Sequence, residues 1–115
     1  MSLAEQDCVP CRGGVPPLTA EQIAPLAAQT PGWKVVDDHH IVREYGFPDF
    51  ATALAFVNGV GAEAEAQGHH TDLELAWGRV GVTLYSHKIG GLSEADFVMA
   101  ARIERVHETR PEGPS

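Results

Sequence analysis

The period of the apolar positions changes several times along the chain, and each change marks an element. Ile23, Leu26 and Ala27 share one face of a helix. That helix starts at the capping box Thr19-Ala20-Glu21-Gln22, where the Thr hydroxyl and the Gln side chain each satisfy a backbone donor, and Pro31-Gly32 ends it. Trp33 to Val36 and Ile41 to Tyr45 are rich in β-branched and aromatic residues and read as two strands joined by a turn at Asp37-Asp38. Asp49 is placed to cap a second helix running to about Gln67, with Phe50, Leu54, Val57 and Ala64 at helical spacing. Gly68 is its C-terminal stop. Leu73, Leu75 and Trp77, then Val80, Val82 and Leu84, alternate with a period of two, and Gly78-Arg79 fits a two-residue hairpin turn with glycine first. Ser93-Glu94-Ala95-Asp96 opens a third helix whose Leu92, Met99, Ile103 and Val106 form a core-facing stripe. From His107 onward the chain reads as a tail.

Helix, two strands, helix, two strands, helix is an α+β order: a four-stranded antiparallel sheet with three helices packed on one face. Residues 18–107 read as a single domain, flanked by a flexible N-terminal segment (1–17) and a disordered tail (108–115). A chain of 115 residues can hold one core without staples. The sheet edges of so small a domain invite pairing with a second copy, so a homodimer or homotetramer is expected.

Composition narrows the function classes. No apolar run approaches the roughly 20 residues of a membrane span. The segment Met1 to Cys11 contains Glu5 and Asp7 and lacks the pattern of a signal peptide, so a cytoplasmic location away from membranes is expected. The formal net charge of -8, with Lys and Arg scattered, argues against nucleic acid as a partner. Cys8-Val9-Pro10-Cys11 has the spacing of half a zinc ribbon or of a redox pair. No second pair accompanies it, and it does not open a helix; an incidental or locally bridged pair is the plainer reading.

The residues able to carry chemistry gather between Glu65 and Asp96. His69 and His70 follow the helix stop at Gly68, and His87 sits where a strand gives way to the loop Lys88-Ile89-Gly90-Gly91, so two element ends can meet at one site. Histidine suits proton transfer because its ordinary pKa, roughly 6.5, lies near neutrality. Glu65 is four residues before His69, within reach to orient the imidazole. Plainer readings stand beside these: the His pair as a solvated cap at the negative end of a helix, and Asp96 as the acid of a capping box. His39-His40 follows the Asp37-Asp38 turn and reads as exposed. A metal alternative would use His69 or His70 with His87 and Glu65, but adjacent histidines tend to diverge.

Taken together, Glu65-Ala66-Gln67-Gly68-His69-His70, Trp77, His87 and Asp96 resemble the signature of the pterin-4a-carbinolamine dehydratases in residue type and spacing. The resemblance extends from Gly32-Trp33 through Phe47-Pro48-Asp49-Phe50 to Gly91-Leu92-Ser93-Glu94-Ala95-Asp96, covering most of the chain after Leu18. It implies elimination of water from a 4a-hydroxytetrahydropterin to give the quinonoid dihydropterin, with no metal or organic cofactor. By position it implies His69, His70 and His87 as acid/base and pterin-contacting residues, Glu65 orienting His69, Asp96 supporting the wall near His87, and Thr71 and Ser86 as substrate-binding or supporting residues beside the histidines. Thr71 departs from the family pattern, which usually has proline there; it restores a backbone donor and frees a dihedral. Parts of the same region, including Leu75 to Val80, Lys88 to Leu92 and Asp96 to Ala101, also look like dehydratase-like proteins that assist Rubisco assembly. That resemblance implies the alternative of a weakly active or inactive factor binding the Rubisco large subunit. Other relatives bind transcription-factor helices, and no residue here singles that role out.

Overall fold

A computed structural model describes residues 16–69 and 71–109. The sequence readings on Cys8, Cys11, His70 and residues 110–115 fall outside the described residues. Chain order is α1 (Ala20–Ala28), β1 (Lys34–Val36), β2 (His40–Gly46), α2 (Phe50–Gln67), β3 (Asp72–Ala76), β4 (Arg79–Leu84) and α3 (Glu94–Thr109). All strand pairs are antiparallel, in the order β1-β2-β4-β3. Three helices and a four-stranded antiparallel sheet make the expected α+β fold.

Local chemistry explains the boundaries. The Thr19 capping box is complete: Gln22 N–H donates to Thr19 Oγ1 at 3.3 Å and Thr19 N–H to Gln22 Oε1 at 2.9 Å. At the start of α2, the Thr52 N–H and hydroxyl both donate to Asp49 Oδ1, at 2.8 and 2.6 Å. Gly68 ends α2 at φ 64, a left-handed conformation that glycine adopts without steric cost. The β1–β2 turn places both Asp37 and Asp38 at positive φ, 55 and 53, and closes with His39 N–H donating to Val36 C=O at 2.9 Å.

The core lies between one sheet face and the helices. Ile41 and Tyr45 of β2 pair in register with Leu84 and Val80 of β4, and all four are buried with Val82. In α3 the apolar surface is wider than the stripe read from the sequence: every residue from Ala95 to Ala100 is buried, including Phe97 and Val98. This helix packs against α1 as well as α2, so the stretch from Ala95 to Ala100 has no solvent side.

Three local expectations need correction. The core face of α2 is Ala53, Phe56, Val60 and Ala64, whereas Phe50 and Leu54 are 43% and 40% exposed. The helix is apolar on several faces, and the aromatic partners Tyr45 and Phe47, 4.7 and 5.2 Å from the Phe56 ring, select which face turns inward. The β3–β4 turn is Trp77-Gly78, with Ala76 paired to Arg79, so glycine takes the second position at φ 77. Finally, α3 continues through residues 107–109. The His107 ring packs 4.7 Å from Tyr45 and 5.6 Å from Phe56, holding this last turn on the core.

Two outcomes follow. Phe56→Ala should cost about 3–5 kcal/mol in denaturant unfolding, because the fully buried ring leaves a cavity among Tyr45, Phe47 and His107. Hydrogen bonds from Thr52 lower the Asp49 pKa below its ordinary 3.8. A carboxyl lowered on folding stabilises the fold above its unfolded pKa and loses that contribution as pH falls through the folded value. The stability gap between wild type and Asp49→Ala should therefore be full near neutrality and shrink in strong acid, as measured by unfolding across pH.

Candidate active site

The Gly68 turn fixes where the chain leaves α2. Gly68 N–H donates to Glu65 C=O at 3.3 Å, and His69 N–H to Ala64 C=O at 3.1 Å. These bonds satisfy carbonyls at the helix end and hold the backbone of His69. Its imidazole, with a side chain 13% exposed, is directed to the start of α3, where Nε2 lies 2.7 Å from Asp96 Oδ1. The Asp96 side chain is 0% exposed.

A carboxylate in that position must be compensated, since an ion removed from water without partners costs several kcal/mol. Asp96 Oδ2 accepts from the Ser86 hydroxyl at 2.8 Å, from Ser93 N–H at 2.8 Å and from the Ser93 hydroxyl at 3.3 Å. The two serine hydroxyls lie 2.8 Å apart. Asp96 thus caps α3 and holds an imidazole at once. With both carboxylate oxygens accepting, the arrangement calls for a proton on His69 Nε2 and leaves Nδ1 as the nitrogen able to take or return one.

Ser86 joins β4 to this network. It is buried, and its N–H donates to Gly91 C=O at 2.8 Å. The next residue is His87, so the ends of α2 and β4 do meet, through Asp96. The His87 ring is exposed and stacks on Tyr85, with centroids 4.0 Å apart and planes at 26°. Glu65 is exposed on the last turn of α2. The carboxylate bonded to His69 Nε2 is Asp96. The Thr71 hydroxyl oxygen is buried and has no hydrogen-bond partner among the described residues. Among the described residues, no three His, Cys, Asp or Glu side chains group as metal ligands.

Two features escaped the sequence reading. One is the His69–Asp96 pair, whose signal is a lone acid inside the otherwise apolar run Ala95 to Ala101; such an acid needs a buried partner. The other is the half-burial of His39 and His40, expected to be exposed. His39 packs 4.7 Å from the Tyr85 ring, and its Nδ1 lies 3.0 Å from that of His40.

The fold and this network can be set beside known proteins. A family model described as pterin 4 alpha carbinolamine dehydratase matches residues 16–106, and the chain belongs to that family. A Rubrobacter xylanophilus protein, by name a candidate pterin-4-alpha-carbinolamine dehydratase, is 55% identical over 104 residues, covering 90% of this chain and 97% of its own. The crystal structure of a transcriptional coactivator/pterin dehydratase from Brucella melitensis is 33% identical, with a TM-score of 0.73, covering 78% of this chain and 97% of its own. A pterin dehydratase-like protein described as a RuBisCO assembly factor in the alpha-carboxysome shares the fold at 21% identity, with a TM-score of 0.58, covering 69% of this chain and 93% of its own.

Replacing Asp96 by Asn keeps the shape but removes one of the two acceptors, leaving a donor in the network without a partner. The expected cost is about 1–3 kcal/mol in urea unfolding. Wild-type stability in that variant would contradict the pairing.

Proposed function

We propose that this protein eliminates water from a 4a-hydroxytetrahydropterin, giving the quinonoid dihydropterin by acid/base chemistry of His69, His70 and His87. The C4a–O bond breaks, N5 gives up its proton, and the hydroxyl leaves as water; no electron acceptor is needed. Hydroxide is a poor leaving group, so the reaction needs one group to protonate the departing oxygen and another to accept the N5 proton.

The observation that carries this reading is the pairing of His69 with the buried Asp96 carboxylate, 2.7 Å away, in a chain of the dehydratase family. The carboxylate holds the Nε2 proton, which fixes the ring's tautomer and its orientation. Ser86 supports that carboxylate and leads into His87, which supplies the second imidazole in this reading. In this reading Glu65 and Thr71 flank the pterin, Thr71 standing where the family usually has proline. A second copy of the chain is the expected partner, as a homodimer or homotetramer. The assembly-factor alternative is supported by fold likeness, and a shared fold does not choose a partner.

Purified protein should accelerate dehydration of a 4a-hydroxytetrahydropterin, with His69→Ala and His87→Ala each lowering the rate at least about tenfold. A wild-type rate equal to that in buffer would contradict the proposal.

A further inference from the structure

The backbone of His87 is well held and its ring is not held in the same way. Ser86 and Gly91 form an antiparallel bridge. Between them, Ile89 N–H donates to Ser86 C=O at 3.2 Å and Gly90 N–H to His87 C=O at 3.3 Å. Unlike His69, whose ring is bonded to Asp96, His87 makes no hydrogen bond through a ring nitrogen among the described residues. An exposed imidazole on such a loop has several χ1 wells and a broad χ2. A tight loop fixes where the ring starts, and something else must fix where it points.

The ring rests on Tyr85, at the 4.0 Å centroid spacing given above. On Tyr85 rests His39, at 4.7 Å and 38°, with His40 at 6.5 Å and 61°. The two histidines of the β1–β2 hairpin are tied to each other through their Nδ1 atoms, one donating and the other accepting across 3.0 Å. This hairpin lies beside β4 because Ile41 pairs with Leu84, which brings the preceding His40 and the following Tyr85 to the same end of the sheet. The result is a column of rings running from the turn to His87.

We propose that Tyr85, backed by His39, is a positioning residue for His87: the ring column sets the plane of the imidazole and leaves its nitrogens at the edge, turned to solvent. The inference rests on the acid/base role proposed for His87. It gives the two histidines different supports. His69 is oriented by a charged hydrogen bond, and His87 by face contact, which constrains the plane without occupying either nitrogen. Such prior ordering lowers the entropy lost when substrate and catalytic group are brought into register.

The test uses the full chain with Tyr85→Ala, Tyr85→Phe and His39→Ala, read by two measurements. The NMR shift of the His87 ring proton between the two nitrogens reports the ring current of the neighbouring phenol. Dehydration kinetics report the consequence. Wild type and Tyr85→Phe should share an upfield-shifted proton and the same rate. Tyr85→Ala should lose the shift and about tenfold in kcat, with KM little changed. His39→Ala should lose part of each, and it carries the test if Tyr85→Ala does not fold. An unchanged His87 shift in Tyr85→Ala overturns the inference, as does an unchanged kcat in a variant that has lost the shift. If wild type has no dehydratase activity, it is the functional reading that fails. The shift then still decides whether the column orients His87.

Discussion

The structure depends on one carboxylate placed where a charge is costly. Asp96 lies on a turn of α3 whose neighbours from Ala95 to Ala100 are all buried, so it cannot reach water. It is tolerable only because three element ends deliver donors to it: the end of α2 through His69, the end of β4 through Ser86, and the start of α3 through Ser93. Each of those ends is fixed by its own local device, the left-handed Gly68, the Ser86–Gly91 bridge and the helix cap. Packing and chemistry are therefore one constraint. The burial that makes α3 a core helix is also what makes the His69 imidazole an oriented group.

The far end of the domain does the mechanical work. Tyr45, Phe47, Phe56 and His107 pack as an aromatic cluster that locks β2, α2 and the last turn of α3 together. Arg43, on the same sheet face, pairs with Glu104 at 2.8 Å and lies over the Tyr45 ring. Burial, reinforced by the bond to Glu104, pushes the Tyr45 phenol far up, so it remains a donor. With α3 anchored there, Asp96 at its opposite end is held at a fixed height relative to β4.

What the chain discloses without coordinates follows from which signals are local. Caps and stops are local, and Thr19, Asp49 and Gly68 mark their helix ends directly. Strand alternation is local too, and Val80, Val82 and Leu84 turn to the core as their period requires. The face of α2 is not local. Alanine-rich segments offer more than one apolar stripe, and only the rings of Tyr45 and Phe47, distant in sequence, decide for Phe56 over Phe50 and Leu54. The same limit applies at the site. The acid bonded to His69 Nε2 is 27 residues away and reached only through the tertiary fold, which spacing within a helix cannot signal. His39 and His40 look like solvated turn residues until β2 pairs with β4 and brings Tyr85 beside them.

The geometry has Asp96 hold His69 in one tautomer, with the proton on Nε2 and Nδ1 turned away from the carboxylate. NMR of the full-length protein with isotope-labelled histidine reads this directly. His69 should show a protonated Nε2 with a strongly downfield proton that disappears in Asp96→Ala, and an unprotonated Nδ1 when the ring is neutral. A neutral His69 carrying its proton on Nδ1, or exchanging between the two tautomers as free imidazole does, would contradict it.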